Sequence, residues 1–352
     1  MKKKLLALAV AGALTAPLAA QAQNVQIYGV LQMSVDRVDN GDDTGTSMAD
    51  NSSRIGFRGS EDLGGGLKAI FQLESQVQPD QRGGTWTGRD SWAGLASDTW
   101  GQIRVGSMFT AYKSSTDYAD PFADTIGDYN NIVGAIGATG PNRPFDARAN
   151  NAIHYISPNW GGFQLAATYG MNNGDGAPYE SKGDNTDRSV ALTYKSGNLT
   201  LTAAYEDKQL SFGSAGKPAV TDKVNAFKVS GGYKFGNTAV ALVYAKEDFG
   251  ELGGNDRDRD VIHASLKHSI GNIDLLAAYT WADDLGDIDD SSAQQFAIGA
   301  VYNFSKRTSV GAYYVHLDND DAANQGLASG GYNPAAAGEK MKAFSVRLRH
   351  AF

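Results

Sequence analysis

Apolar and polar side chains alternate along most of the chain in short runs. The alternation is clear at 27–33, 67–74, 198–205, 261–268 and 344–352. Alternating side chains lie on opposite faces of a β-strand, and most of these runs have roughly the 8–11 residues that a tilted membrane-spanning strand requires. Helical periodicity is confined to a turn or two within 117–130, and after residue 22 no apolar run approaches the ~18 residues of a spanning helix. The sequence therefore predicts an all-β protein.

Two kinds of connection separate the runs and follow one another in strict alternation. Seven tight turns lie at Asp62–Gly66, Asp98–Gly101, Pro158–Gly162, Ser196–Asn198, Gly236–Asn237, Gly271–Asn272 and Phe304–Arg307. Eight longer polar loops lie near 38–50, 78–88, 109–148, 172–186, 207–222, 247–258, 282–291 and 318–341. Gly and Asn supply the positive φ that hairpin turns need. Fifteen connections imply sixteen antiparallel strands, and short turns on one side with long loops on the other are the layout of a bacterial outer-membrane β-barrel.

A soluble β-sandwich would show the same period, so the chemistry of the two faces decides between them. Aromatic side chains such as Tyr28, Tyr205 and Tyr279 lie towards strand ends, as in the aromatic girdles of membrane barrels. The polar face carries charges that a packed sandwich core would not tolerate unpaired: Arg54, Arg104, Lys267, Arg347 and Arg349. A barrel of sixteen strands is wide enough to leave an aqueous channel. The sequence therefore favours a transmembrane β-barrel over a sandwich.

The third loop, 109–148, is the longest connection and lacks a sustained strand pattern. It mixes aromatic and acidic side chains: Tyr112, Asp117, Tyr118, Asp120, Phe122, Asp124, Asp128 and Tyr129. Loops of this length in a compact domain are usually functional or disordered, and this one has a high apolar content for a disordered segment. We therefore expect it to fold into the barrel lumen and narrow a water-filled channel, with a disordered surface loop as the alternative.

The N-terminus has the pattern of a secretory signal peptide over residues 1–22. A basic segment (Lys2–Lys4) precedes an apolar run (Leu5–Ala20), and Ala20–Ala22 forms a small-x-small cleavage signal. The predicted mature chain is one barrel domain, 23–352, and the loss of three lysines and no acids changes the formal charge from −8 to −11. So acidic a chain is a poor nucleic-acid binder, and with no cysteine it forms no disulfides.

Several stretches resemble the general porins of the Gram-negative outer membrane, especially the branch found in Neisseria- and Burkholderia-like bacteria. They are Val25–Val30, Ser52–Glu74, the segment WGQIRVGSMF from Trp100, Arg148–Ser157, and the alternating C-terminus that ends in Phe352. The resemblance covers the mature chain in order, and His350 departs from the commonest aromatic residue at its position. It implies a homotrimer of sixteen-stranded barrels, each with its own pore constricted by the third loop. It also implies that the barrel-assembly machinery reads the C-terminal Phe352.

The same resemblance implies a site at the pore constriction. Family members place basic side chains on the barrel wall opposite acids or carbonyls of the third loop. Arg54, Arg89 and Arg148 match such wall positions, and Arg104 has the parity of a lumen-facing residue. The candidate loop residues are Asp117, Asp120, Asp124 and Asp128. Opposed charges across a narrow opening order water and bias ion passage, whereas wall ion pairs with no effect on flux are the alternative.

Patterns for catalysis or for a bound cofactor are weak. The five histidines share no motif: His154, His263, His268, His316 and His350. No G-x-S-x-G is present, and Gly64–Lys68 lacks the spacing of a phosphate-binding loop. The acidic loops do not follow the EF-hand spacing, so a solvated surface is expected, with divalent cations bridging lipopolysaccharide as the alternative. We therefore predict no enzyme, no cofactor and no metal site.

The leading hypothesis is an outer-membrane channel for passive diffusion of ions and small hydrophilic solutes. An aromatic slide or a lysine array in the third loop would favour a substrate-selective channel of the same fold. The loop has only Lys113, Arg143 and Arg148 as basic residues, and its aromatic residues are scattered. A non-conducting adhesin or structural barrel would need a plugged lumen. The ion preference is open, because the overall charge favours cations while the wall arginines favour anions.

Overall fold

The computed structural model describes residues 25–135, 144–171, 186–212, 220–250 and 257–352. The predicted signal peptide lies outside the described residues, as do 136–143 of the third loop and parts of the predicted loops 172–186, 207–222 and 247–258. No helix in the described ranges is long and apolar enough to cross a membrane.

The described residues form one antiparallel sheet whose main strands close into a barrel. The sixteen wall strands in these ranges are β1 (Gln26–Asp39), β3 (Arg54–Gly64), β4 (Leu67–Gln78), β6 (Ser91–Ser97), β7 (Gly101–Phe109), β8 (Arg148–Ile156), β9 (Phe163–Gly170), β10 (Asp187–Ser196), β11 (Leu199–Phe212), β12 (Val220–Phe235), β13 (Thr238–Asp248), β14 (Asp258–Ile270), β15 (Ile273–Ala282), β16 (Ala293–Asn303), β17 (Thr308–Asn319) and β18 (Met341–Ala351). The sixteen-stranded barrel that the sequence predicted is confirmed, and the sandwich alternative is wrong.

The barrel closes where the first strand meets the last. β1 pairs with β18 along ten residues, and Gly29 and Phe352 exchange backbone hydrogen bonds of 3.1 and 3.0 Å. A side chain on Gly29 would collide with the ring of Phe352 and with the backbone of Arg54, so this position needs glycine. Closure leaves no strand edge unpaired. Strands surrounded by lipid require this, because the lipid cannot satisfy free backbone N–H and C=O groups.

The predicted loop 38–50 needs correction, because most of it is a hairpin arm. β2 (Thr44–Asp50) pairs with residues 33–39 of β1, while β3 pairs with residues 26–30. The two arms are separated at Ser52, which has a φ of 63°, and the hydroxyl of Ser53 accepts a 2.9 Å hydrogen bond from the backbone of Gln32. Polar residues can form such an arm without an apolar pattern because it lies beyond the lipid. A shorter strand, β5 (Gly83–Thr85), extends β4 in the same way.

The tight turns lie where the sequence predicted them. All seven connect consecutive wall strands of the described chain, from β3–β4 to β16–β17. Gly236 and Gly271 have φ values of 58° and 57°, the left-handed conformation that two-residue hairpins require. Short connections therefore gather at one rim and long connections at the other.

The two faces of the wall differ in polarity. Along β16, Gln295 and Ala297 point inwards and are 1% and 0% exposed, while Phe296 and Ile298 point outwards and are 46% and 43% exposed. An apolar outer surface around a partly polar interior is the reverse of a soluble domain and fits a wall in contact with lipid.

Candidate functional site

The described residues of the segment between β7 and β8 pack against inward-facing side chains of the barrel wall. Its described part contains a short helix, α1 (Ala111–Ser114), and two 3-10 turns, Asp117–Ala119 and Tyr129–Asn131. Phe122, Ile126 and Ile132 of this segment are fully buried in one apolar cluster with side chains from β13 to β18. Burying a large apolar side chain contributes about 1.5–3 kcal/mol, so the segment is held as part of the molecule's core.

Wall side chains also satisfy the backbone of the loop. Arg259 on β14 donates 2.7 Å hydrogen bonds to the carbonyls of Ile132 and Ala135. Glu247 on β13 forms a 2.8 Å ion pair with Arg259 and accepts a 2.7 Å hydrogen bond from the backbone N–H of Gly134. Buried backbone groups need such partners, and here the wall supplies them in place of regular secondary structure.

A buried charge network ties the two ends of the loop to β12. The carboxylate of Asp146 lies 2.6 Å from the ammonium of Lys228 and 3.1 Å from that of Lys113. It also accepts 2.7 Å hydrogen bonds from the hydroxyl of Tyr129 and the side-chain amide of Asn130. Burial alone would raise the pKa of Asp146, but the two lysines and these hydrogen bonds outweigh it and hold the pKa well below its usual range. Asp146 is therefore ionised and matched by two cations.

The charges of the predicted residues Arg89 and Arg148 interact, and each arginine has a carboxylate partner. The Nε of Arg89 is 2.6 Å from Glu74, and the Nε of Arg148 is 2.7 Å from Asp90. The guanidinium of Arg148 also lies 3.9 Å from the centre of the Phe109 ring. The sequence predicted Arg89 on a strand, but it lies in the irregular segment just before β6.

Asp124 reaches across from the loop and is held from two sides. Arg54 on β3 lies 3.2 Å from its carboxylate, and Arg347 on β18 donates a 2.9 Å hydrogen bond to its carbonyl. The side-chain amide of Gln32 donates a further hydrogen bond of 3.1 Å to the carboxylate. Burial tends to raise the pKa of Asp124, but the positive charges of Arg54 and Arg89 outweigh it and lower the pKa.

The remaining loop aspartates organise the loop itself. The Asp120 carboxylate accepts hydrogen bonds from the backbone N–H groups of Phe122 and Tyr129, at 2.8 and 3.1 Å. Asp128 caps the second 3-10 turn through a 2.8 Å hydrogen bond from the backbone of Asn130. Burial raises the pKa of Asp120 well above its usual value, and the negative charge of Asp128 adds to the rise. The side chain of Asp117 is exposed.

Seven of the eight predicted residues line one cavity of about 760 Å³ between the loop and the wall: Arg54, Arg89, Arg148, Asp117, Asp120, Asp124 and Asp128. Arg104 does not line it. Its guanidinium lies 4.3 Å from the centre of the Trp92 ring and donates a 2.7 Å hydrogen bond to Gln102. The lumen-facing parity of Arg104 was correct, but its height along the strand separates it from the other seven.

The last long connection also enters the mouth of the barrel. Leu327 is fully buried in the main apolar cluster, and the backbone N–H of Ala328 donates a 2.7 Å hydrogen bond to Asn131 of the third loop. Tyr332 donates a 3.0 Å hydrogen bond to Asp36 on β1. The sequence predicted an ordinary polar loop at 318–341, because its many Gly, Ala and Asp residues give no sign of burial. Gly330 and Gly331 of this loop line the same cavity as the site residues.

Sequence reasoning left four charged residues out of the site. Glu74 and Asp90 are the partners of the wall arginines, and Arg347 and Arg349 lie near Arg54 and Asp124. The alternation in β18 already places both arginines on the polar face, so parity combined with position in the last strand could have found them. Among the described residues, no group of three or more acidic or histidine side chains is arranged to hold a metal ion.

A closed barrel with an apolar outside, a charged lumen and an inward loop defines a membrane-spanning channel protein. The model of the Gram-negative porin family matches residues 7–322. Over their full lengths, the chain is 31% identical to outer membrane porin protein 32 of Delftia acidovorans. It is 29% identical to the major outer membrane protein P.IB of Neisseria gonorrhoeae, over 88% of this chain and 91% of the relative.

Among solved structures, the anion-selective porin from Comamonas acidovorans is similar with a TM-score of 0.82 and 25% identity, covering 94% of this chain and all of that one. The chain belongs to the Gram-negative porins. It is an outer-membrane β-barrel that forms a channel for passive diffusion, and the resemblance drawn from its sequence is confirmed.

Proposed function

We propose that the third loop is the pore constriction, that the charges around it filter solutes, and that the channel prefers small anions to cations. Arg54, Arg89 and Arg148 form the wall of this filter, and the aspartates of the loop form its opposite side. Residues 1–22 are removed on export in this proposal, which leaves the barrel domain 23–352. Transport is by diffusion, with no catalytic step.

The observation that carries the anion preference is an excess of basic groups around the carboxylate of Asp124. Arg54 and Arg89 share the carboxylates of Glu74 and Asp124, whereas Arg347 and Arg349 have no ion pair within 4 Å among the described residues. The charge of Arg349 interacts with those of Arg347 and Arg54 and with that of Asp124, so three cations surround one carboxylate. Low-dielectric walls focus the field of such a group on the passage.

The loop acids offset this field less than their number suggests. Asp146 is matched by Lys113 and Lys228, and Asp120 has a raised pKa. The similarity to a porin described as anion-selective supports the same preference. We therefore expect the cations of the wall to outweigh the acidic overall charge of the chain.

Reversal potential in planar bilayers tests the proposal. With purified mature protein and a KCl gradient, we expect a potential of the sign that chloride flux produces, and a conductance that rises with salt. A potential of the opposite sign would reject the anion preference while leaving the channel intact. No conductance from folded barrels would reject the channel itself and return us to a non-conducting barrel.

We propose further that the barrels form homotrimers through the face of β1, β3, β4, β6 and β7. The described outer face of these strands carries no Tyr or Trp, whereas β9 to β17 carry outward-facing residues such as Tyr169, Tyr233, Tyr279 and Tyr302. An interrupted girdle is expected where a barrel meets another barrel instead of the lipid interface. Conductance steps in multiples of three would support the trimer, and independent single steps would contradict it.

Loss of the terminal aromatic ring is expected to reduce the barrel yield in the outer membrane by about tenfold or more. In this proposal Phe352 engages the barrel-assembly machinery, and in the folded barrel it joins β18 to β1 through Gly29. The measurement is the heat-modifiable, folded fraction of Phe352→Ala in isolated outer membranes. Refolding of the same variant in detergent separates the two roles: normal refolding points to the assembly machinery, and failed refolding points to the closure.

A further inference from the structure

A tight turn lies in the middle of the last long connection. Leu327 and Tyr332 form an isolated β-bridge and exchange backbone hydrogen bonds of 2.8 and 3.0 Å. The four residues between them, 328–331, are called the tip. Gly330 and Gly331 have φ values of 86° and 68°, which residues with a side chain rarely adopt, so the glycines give the tip its compact shape.

Buried contacts fix both sides of this turn. The side chain of Leu327 is fully buried in the main apolar cluster, and Tyr332 packs against the same cluster. The hydroxyl of Tyr332 donates a 3.0 Å hydrogen bond to Asp36 of β1. The side-chain amide of Asn319 donates a 2.9 Å hydrogen bond to the carbonyl of Glu339 and so joins the two ends of the connection. The position of the tip is therefore set by the rest of the molecule.

The tip itself is bonded to two different elements. The backbone N–H of Ala328 donates a 2.7 Å hydrogen bond to Asn131 of the third loop. The hydroxyl of Ser329 donates one of 2.6 Å to Asn51, which lies between β2 and β3. Asn51 and Asn131 are 1% and 2% exposed, so both hydrogen bonds end on buried side chains. The tip therefore connects the third loop to the junction of β2 and β3.

All four residues of the tip line the cavity of about 760 Å³ that also contains the site residues. Ala328, Gly330 and Gly331 are exposed there, whereas Leu327 beside them is buried. None of the four residues carries a charge. The cavity is therefore bounded at this point by backbone and small side chains, which restrict a solute by its size and add no charge to the passage.

We propose that the tip is a second, uncharged restriction of the channel, which limits the size of solutes while the charges of the constriction select among ions. The tip belongs to a long connection, so it lies towards the rim opposite the tight turns. The proposal rests on the diffusion channel alone and holds for either ion preference.

Liposome swelling with an uncharged pentose and an uncharged disaccharide tests the tip, because neither sugar carries a charge on which the wall could act. Ala328→Trp places a large ring at an exposed position of the cavity, and we expect the ratio of disaccharide to pentose uptake to fall by about threefold or more. Deletion of Ser329 and Gly330 leaves a two-residue turn between Leu327 and Tyr332, and we expect the ratio to rise.

Ala336→Trp is the matched control, because Ala336 is exposed in the same connection but does not line the cavity. We expect its sugar ratio to equal that of the unchanged protein. The reversal potential in a KCl gradient should stay the same in Ala328→Trp, since the substitution changes no charge. The heat-modifiable fraction on gels checks that each variant is a folded barrel.

Three outcomes would overturn the proposal. Equal sugar ratios in Ala328→Trp and Ala336→Trp would mean that bulk at the tip does not restrict passage. An unchanged ratio in the deletion variant would mean that the constriction alone limits solute size. A changed reversal potential in Ala328→Trp would mean that the tip acts by moving the charged third loop.

The same measurements separate this proposal from the anion preference. Unchanged sugar ratios with a reversal potential of the sign for chloride would reject the second restriction and leave the charge filter standing. The expected sugar ratios with a potential of the opposite sign would support the tip and reject only the anion preference.

Discussion

The variant Asp146→Asn is expected to weaken the docking of the third loop by about 3–5 kcal/mol. The substitution keeps the size of the side chain but leaves Lys228, which is 1% exposed, and Lys113 next to one another without their carboxylate. Removing one partner of a buried ion pair costs this much because the remaining charge stays desolvated. The strands keep their own hydrogen bonds, so the effect falls on the loop and not on the barrel.

Amide hydrogen exchange of residues 109–135 measures this effect, because loop opening exposes backbone groups that the wall now satisfies. We expect faster exchange there and more frequent current fluctuations in bilayers. The double variant Asp146→Asn/Lys228→Met should recover part of the loss, since it removes one of the two cations that Asp146 pairs with. Asp117→Asn is the comparison in the same loop, and a smaller change is expected, because Asp117 acts on Lys113 and Lys228 only at longer range and has no ion pair within 4 Å in the described chain. Unchanged exchange in Asp146→Asn would contradict the anchoring role.

Local patterns were sufficient to predict the barrel. Each wall strand turns one face to the lumen and the other to lipid, so polar and apolar residues alternate with a period of two along it. Glycines such as Gly236 and Gly271 indicate the turns between the strands. Strand number and orientation then follow from the count of connections. The strand that this reasoning missed lies within 38–50. The chain there is beyond the lipid, so its residues need no apolar face and show no alternation.

Long-range contacts could not be predicted in the same way. Asp146 and Lys228 are 82 residues apart, and Arg347 meets Asp124 across 223 residues. The parity of a side chain gives its face but not its height in the barrel, which is why Arg104 was grouped with arginines it does not join. Which carboxylate neutralises which cation depends on the strand stagger and the path of the loop, and no local pattern in the sequence specifies either.

The double variant Arg347→Gln/Arg349→Gln is expected to lower the ratio of anion to cation permeability by about tenfold at low salt. An ion about 4 Å from a unit charge in water gains or loses about 1 kcal/mol, and 1.4 kcal/mol is a factor of ten. Neither arginine has an ion pair within 4 Å among the described residues, and the acid whose charge acts on Arg349, Asp124, is itself paired with Arg54, so a net positive charge is expected to remain. Reversal potentials in KCl gradients measure the ratio.

Salt dependence and a charge-preserving control separate a field effect from a change in pore shape. The Debye length falls from about 30 Å at 0.01 M to about 3 Å at 1 M, so the effect of the two charges should shrink sharply as salt rises. Arg347 also donates hydrogen bonds to the carbonyl of Asp124 and the hydroxyl of Tyr313, at 2.9 and 2.8 Å, and losing them could move the loop. Arg347→Lys/Arg349→Lys keeps both charges and should keep the selectivity even if conductance changes. Loss of selectivity in the lysine variant, or a loss in the glutamine variant that is equal at all salt concentrations, would mean that the shape of the opening sets the ion preference and that the charge of the wall does not.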